Sequence, residues 1–416
     1  MKLGFFLACP IAPLFALSCL TNSWADPSPK SPSLSLERIH DKEDLKEKRF
    51  TLKWLDDGDR YTFLKKSTQE KYKDSKEIWL ATAADSDDCK ILVSAADLVA
   101  NGSETPLEID GYDFFPDHSL LLIFTNSERV WRHNSRGDYW VYNLHDQTLK
   151  KLGGQKTKPS SLLFAKLSPE GTHVAYVCEN HIHIESLKDH SIRTLTTSGN
   201  NQTFNGRFDW VYEEELGIRD GFRWSPDGSA IAYWQFDETG VRKQTMLDHT
   251  STLYPKAIRF GYPKAGQKNA ACRIGVVEVA TSETTWMQIP GDPREHYLAR
   301  MDWAGPNNSD ELIIQQLNRA QDTKVVMIAE RRGGKVRTIL TEKDPAWVII
   351  NDDLHWTPDG KAFTWTSERD GWEQLYRVSR DGMATNKITT DDFDISLLQI
   401  DQSGLWAYFL ASPENP

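Results

Sequence analysis

Residues 203–234 read TFNGRFDWVYEEELGIRDGFRWSPDGSAIAYW, and the two halves of this stretch decide how the chain is read. The second half, WSPDGSAIAYW from Trp224, is a turn followed by a strand. Pro presets φ at the second turn position, Asp tolerates the bend, Gly accepts the positive φ that closes it, and the alternation that follows suits a pleated, half-buried surface. The first half sets three consecutive carboxylates, Glu213, Glu214 and Glu215, behind Trp210 and Tyr212. Like charges in sequence repel, so an ordered run needs a cation beside it: solvent counterions, an Arg from elsewhere in the chain, or a ligand. The alternative is a solvated acidic turn.

Outward from this stretch the turn-and-strand recurs. It is seen in WLDDGDRYTFL from Trp54, FFPDHSLLLIF from Phe114, LSPEGTHVAYV from Leu167, WTPDGKAFTWT from Trp356 and DQSGLWAYFL from Asp401, with a degenerate copy, WAGPNNSDELIIQQL, from Trp303. Further strand-like runs follow the turns at 138–144, 181–187, 273–279, 324–330 and 373–379. Repeats spaced by about 45 to 80 residues, with several strands each, predict an all-β chain: a β-propeller of four-stranded blades, about seven of them. Helical patterns are nearly absent, which excludes an α/β fold within these residues. The Trp that opens each WSPDG-type turn recurs at one place in the repeat and is expected in the core. Residues 241–266 fall in the widest gap and lack alternation, which predicts an inserted arm whose apolar residues, Met246, Leu247, Leu253 and Tyr254 among them, meet a partner.

The composition sets bounds on function. A chain of 416 residues with 39% hydrophobic content buries a large core, and 15 Trp with 11% aromatics suit β structure. A net charge of -11 argues against nucleic acid or an anionic membrane as the main partner, since phosphate binding needs clustered Lys and Arg. Lys2, the apolar run 3–20 and Ser23-Trp24-Ala25 predict a secretory signal peptide cleaved after Ala25, hence export to the periplasm or outside the cell. Pro10 and Pro13 interrupt the run and argue against a retained membrane span. Residues 26–49 then form a flexible leader ending in a charged segment, within which 36–48 reads as a short helix. After cleavage Cys89, Cys178 and Cys272 remain, widely spaced and without CxxC, which predicts neither a disulfide framework nor a zinc site; one bridge or buried free thiols both stay open. His181 and His183 share a strand face, but with no third ligand in view neither metal nor cofactor is expected.

DWVYEEEL with its WSPDG turn, VWRH (Val130 to His133), TLYP from Thr252 and YPKAG from Tyr262 together resemble the N-terminal propeller of the dipeptidyl peptidase IV branch of the prolyl oligopeptidase family of serine peptidases. The likeness runs in the family's order from about Leu34 to the C-terminus. It implies eight blades, the last of them beyond Pro416, an arm that helps build a homodimer, and a hydrolase domain following the propeller. It also implies that Glu214 and Glu215 clamp the free amino terminus of a peptide and that Arg132 holds a substrate carbonyl. An ammonium offers each carboxylate a charge-assisted bond, and adjacent helical residues about 100° apart flank a ligand rather than overlap. Arg132 has a second reading, as a partner for the glutamates themselves, and both roles can hold at once. Glu213 is expected to be the outward, solvated member. No GxSxG elbow and no βαβ alternation are present in these residues, so a Ser-Asp-His triad cannot be assembled from them. The function expected is the substrate-selecting propeller of a serine exopeptidase releasing N-terminal dipeptides, not catalytic alone and paired with a C-terminal or separately encoded hydrolase domain. The alternative is a stand-alone, non-catalytic propeller binding peptides or proteins.

Overall fold

The computed structural model describes residues 34–40, 51–55, 58–85, 88–115, 117–155 and 157–413. The predicted signal peptide and most of the leader lie outside these residues. Two units are distinguished, Met1–Thr51 and Leu52–Pro416. In the first, the described residues form one short helix, α1 (Leu36–His40).

The second unit is built of antiparallel sheets taken up in chain order. The first sheet comprises β1 (Leu52–Trp54), β2 (Arg60–Lys66), β3 (Lys76–Thr82) and β4 (Cys89–Val93), each paired with its predecessor. The same meander is repeated by β5 (Gly111–Phe114), β6 (Leu120–Arg129), β7 (Asn134–Asn143) and β8 (Leu149–Lys151), and again by β9 (Leu162–Leu167), β10 (His173–Cys178), β11 (His181–Ser186) and β12 (Ile192–Thr194). Pairing of Arg136 and Gly137 with Leu163 and Leu162 fuses these two into one eight-stranded sheet.

The next sheet is interrupted. β13 (Thr203–Asn205) and β14 (Phe222–Trp224) both pair with β15 (Ala230–Asp237), in line with one another: Asn205 faces Gln235, and Phe222 faces Tyr233. Between them the chain leaves the sheet to form α2 (Trp210–Glu215) and returns. Gly206 and Gly221 close the neck of this excursion. A Cβ on Gly221 would lie 2.5 Å from the carbonyl carbon of Gly206, and Gly206 itself has φ +73, so side chains are excluded where the two backbones cross. After β15 a second excursion, the hairpin β16 (Lys243–Asp248) and β17 (Lys256–Gly261), projects before β18 (Ala271–Glu278) and β19 (Thr284–Trp286) complete the sheet.

The order continues with β20 (His296–Trp303), β21 (Glu311–Asn318), β22 (Thr323–Glu330) and β23 (Val336–Lys343), then β24 (Ala362–Ser367), β25 (Gln374–Ser379) and β26 (Thr385–Lys387), with Trp356 bridged to Phe363 at the inner edge. A last pair, β27 (Ile395–Ile400) and β28 (Ala407–Ala411), follows.

Side-chain alternation makes successive sheets stack. Ile231 and Tyr233 point toward the preceding sheet and pack with Val177, Ile182 and Ile184. Their neighbours Ala232, Trp234 and Phe236 point the other way, into the cluster that includes Leu298, Leu312 and Ile314. The same two-faced use joins β21 to the β24 sheet through Ile313, Ile328 and Trp365, and joins the first meander to the second through Ile78, Leu121 and Ile123. Each fully buried Trp or Phe of this kind contributes about 1.5–3 kcal/mol, so sheet-on-sheet burial is the main force holding the series together.

The turns behave as their residues dictate. The amides of Gly171, Gly228, Gly360 and Gly404 donate to the carbonyls of Ser168, Ser225, Thr357 and Asp401 at 2.8–2.9 Å, all with φ between +65 and +69. The Trp that opens each turn is less uniform than expected. Trp303 is buried, Trp224 and Trp356 are half-buried, and Trp54 is 56% exposed. Trp54 stands on the first strand of its sheet, with Tyr61 set edge-on against its ring. Residues 241–266, read as an inserted arm without clean alternation, contain a regular hairpin. Its sequence hides the period because β16 is exposed on both faces. The three remaining cysteines are free thiols.

Candidate amine-binding site on the first excursion

Helix α2 exists because its ends are specified. The Asp209 carboxylate caps it by accepting the Tyr212 amide at 3.0 Å, Glu213 in the first turn complements the helix dipole, and Gly217 with φ +65 terminates it. Tyr212 anchors it: the ring is buried among Phe208 and Phe236, and its hydroxyl accepts the amide of Leu298 at 2.9 Å. With Tyr212 turned inward, the carboxylates that follow are distributed around the helix.

The three glutamates occupy three environments. Glu214 is nearly enclosed, its side chain 9% exposed, and accepts a hydrogen bond from Nε of Arg132. Arg132 comes from the tip of the β6–β7 hairpin, where residues 130–133 form a bend closed by the Val130 amide on the His133 carbonyl at 3.0 Å. Its side chain remains 74% exposed, which leaves donors other than Nε open to solvent. The bond to Glu214 raises the Arg132 pKa. Glu215 is exposed and borders a cleft of about 570 Å³ that also involves Trp210, Tyr262, Tyr297 and Arg319. Glu213, expected to be the outward member, is instead half-buried, and burial pushes its carboxyl up to about 7 against the pull of Arg207 and Arg219. The difference lies in what stands beside the helix rather than in its phase: Arg207 and Arg219 act on the half-buried Glu213, the β6–β7 tip covers Glu214, and Glu215 is left open.

Residues that the sequence did not single out complete the surroundings. Arg207 is buried, with Nε donating to Asn180 at 2.8 Å and its guanidinium over the Phe204 ring; burial lowers its pKa against the support of Glu238, Glu213 and Asp209. Burial also drives Asp209 up to about 7 and raises Glu238. Three carboxyl groups thus act electrostatically on the one guanidinium of Arg207. Glu238 reaches it only because β13 pairs with the end of β15, Thr203 opposite Asp237, which no local pattern reveals; the nearness of Arg207 to Asp209 in NGRFD was the available signal.

The histidine pair on β11 is internally satisfied in part. His183 meets the Cys178 carbonyl and the Thr194 hydroxyl, each at 3.2 Å, and among the described residues no group of metal-ligating side chains assembles.

The fold is a mostly β chain of successive antiparallel sheets, with a glutamate run on a helix looped out of one strand and an Arg from a neighbouring hairpin placed against it. The chain belongs to the family described as the dipeptidyl peptidase IV (DPP IV) N-terminal region, whose model matches residues 115–416. Among curated proteins it is similar to inactive dipeptidyl peptidase 10 of Rattus norvegicus, 24% identical over 335 residues, covering 77% of this chain and 42% of that protein. It is also similar to dipeptidyl peptidase 4 of Arthroderma otae, 26% identical over 347 residues, covering 79% and 44%. Among solved structures, Porphyromonas gingivalis dipeptidyl peptidase 4 superposes with a TM-score of 0.74 at 27% identity, covering 85% of this chain and 48% of that one. The chain therefore spans about half the length of the relatives it matches. The family implies a propeller for the series of sheets.

Proposed function

We propose that this chain is the substrate-selecting propeller of a dipeptidyl-peptidase-IV-like serine exopeptidase, in which Glu214 and Glu215 hold the free ammonium of a peptide and Arg132 holds a carbonyl near it. The observation that carries the reading is the pairing of a nearly enclosed Glu214 with an exposed Arg132, brought from positions 82 residues apart. A guanidinium that neutralises one carboxylate while keeping donors free, beside a second carboxylate left open to solvent, offers an amine and an adjacent carbonyl complementary partners at once. The successive sheets supply about seven blades of the eight the family has. In this reading a hydrolase domain, continuous with the chain or separately encoded, supplies the nucleophile, the β16–β17 hairpin contributes to a homodimer, and the protein works after export.

The test is an NMR titration of the chain with Gly-Pro and with N-acetyl-Gly-Pro. Tighter binding of the free amine, weakened by Glu214→Gln or Glu215→Gln, is the expected outcome. Equal affinity for the two peptides would rule out the amine clamp and leave Arg132 as a structural partner of Glu214. Arg132→Ala weakens both peptides alike, because its partner is a carbonyl.

A second reading, a propeller that binds without chemistry, is favoured by the similarity to a relative named inactive. Sequence downstream of the Pro416 codon decides between them: a continuing or adjacent frame with a GxSxG elbow supports the enzyme, and neither supports the binder.

A further inference from the structure

We propose that Phe260 and Tyr262, at the root of the β16–β17 hairpin, are positioning residues that hold Arg132 against Glu214; this deepens, and rests on, the amine-clamp reading above. Four aromatic rings form a continuous chain between the two elements that carry the pair. Trp131, the residue before Arg132, lies 4.6 Å from Phe260 between ring centroids. Phe260 lies 6.0 Å from Tyr262, edge to face. Tyr262 lies 4.2 Å from Trp210. Trp210 opens α2 one helical turn before Glu214. All these separations are in or near the range in which aromatic rings attract through offset or edge-to-face contact.

The chain of rings matters because Arg132 has little packing of its own. Its side chain is largely exposed, and the tip that carries it, 130–133, is bends rather than strand. What fixes that tip laterally is Trp131 on Phe260. The alternation of an extended chain puts Phe260 and Tyr262 on one face and leaves Gly261 on the other, where a Cβ would come within 2.6 Å of Glu238. The root is therefore gripped from both sides, by the rings on one and by the carboxyl cluster around Arg207 on the other. The Tyr262 amide on the Arg242 carbonyl at 2.9 Å continues the hairpin's ladder to this point. Helix α2 needs no such help on its inner side, where Tyr212 holds it, so the rings act on the relation between helix and hairpin tip. The hairpin, whose outer part is exposed at Met246, Leu247 and Leu253, is thereby joined mechanically to the proposed ligand site.

The experiment uses the full chain with selectively 15N-labelled arginine, the Arg132 Nε–H signal being assigned by its loss in Arg132→Lys. In Phe260→Ala and Tyr262→Ala this signal is expected to move toward that of a solvated guanidinium and its exchange with water to accelerate by about threefold or more. Phe260→Tyr and Tyr262→Phe, which keep the rings, should retain the unmutated signal, and Met246→Ser on the exposed part of β16 should leave it unchanged. Preference for Gly-Pro over N-acetyl-Gly-Pro should fall in parallel with the signal. If an alanine variant fails to fold, Phe260→Leu keeps the apolar bulk without the ring and gives the same readout. An Arg132 signal unaltered by loss of either ring overturns the proposal. If the signal responds as expected but the unmutated chain binds free and acetylated peptide equally, the positioning stands and the ligand assignment falls.

Discussion

Leu298 gives both of its backbone groups to aromatic side chains from the stretch that carries the glutamates: its amide donates to the Tyr212 hydroxyl at 2.9 Å, and its carbonyl accepts from Trp234 Nε1 at 2.9 Å. Leu298 sits where the β20–β21 register slips by one residue. Such a slip leaves ladder groups unpaired, and here two rings from the preceding sheet satisfy them. Tyr212→Phe keeps the ring and removes the acceptor, leaving a buried amide without a partner. The expected loss is about 1–3 kcal/mol, read as a shift of the urea midpoint with unchanged m-value; an unaltered midpoint would mean that water replaces the hydroxyl.

The carboxyl cluster beneath α2 makes stability depend on pH near neutrality. Asp209 and Glu213 each have a folded-state pKa of about 7, above the ordinary carboxyl values they take in the unfolded chain. The folded state then holds more protons than the unfolded one between those values, so their contribution to stability is fully present at low pH and is lost as pH rises through about 7. The groups facing them are Arg207, Arg219, Glu214 and, through Arg207, Glu238. Asp209→Asn, which retains a capping side chain, and Glu213→Gln should each flatten the fall in Tm between about pH 5 and pH 8. Parallel pH profiles for variant and unmutated chain would exclude the cluster as the source.

Glu342 is the second concentrated charge site. It pairs with the buried Lys324 at 2.9 Å and with Arg369 at 2.8 Å, and accepts from Trp365 Nε1 at 3.1 Å. Lys324 in turn donates to the Ile349 carbonyl at 2.8 Å, fixing the strandless segment after β23. Glu342→Ala leaves a buried ammonium uncompensated and is expected to cost about 3–5 kcal/mol. The double variant with Lys324→Met should recover much of that loss, which a double-mutant cycle in urea measures.

Gly137, where β7 pairs with β9, has no room for a side chain: a Cβ would lie 2.3 Å from Phe124 Cε2 and 2.7 Å from the Thr125 carbonyl oxygen. Gly137→Ala is expected to destabilise by about 1–3 kcal/mol and to raise amide exchange at Leu162 and Leu163 before other strands of the same sheet.

Much of the fold was legible because its signals are local. The S-P-D-G turns carry their own φ requirements, and strands such as Ala230–Asp237 alternate between two buried faces, so a turn-and-strand reading transfers directly to the sheets. A short helix was assumed for the glutamate run, but the marks of its ends, Asp209, Glu213 and Gly217, were not read from the sequence. What the sequence did not disclose depends on pairing between distant segments. Glu213 was misjudged because nothing local tells which side of α2 is covered, although Arg207 and Arg219 beside it lie close in sequence; Glu238 joins that cluster only through sheet register. Trp54 was misjudged because its place in the turn repeats that of Trp303, whereas its strand is the first of its sheet. The hairpin 243–261 lacked a readable period because a strand solvated on both faces has no reason to alternate.

The stitched base of the β6–β7 hairpin also bears on time. The Ser127 amide donates to Asp110 at 2.9 Å, Asn134 donates to the Ser127 hydroxyl at 2.8 Å, and Arg136 pairs with Glu128 across the ladder and with β9 beyond it. These bonds brace the hairpin below residue 130 across the register shifts between Thr125 and Arg129. If Arg132 meets a peptide carbonyl as proposed, reorienting its free donors is then a rotation of one side chain on a braced support, which belongs to the ps–ns range rather than the μs–ms range of lids. Backbone relaxation dispersion at 127–136 should accordingly be flat, and an encounter with peptide would be limited by diffusion and desolvation rather than by the opening of a gate.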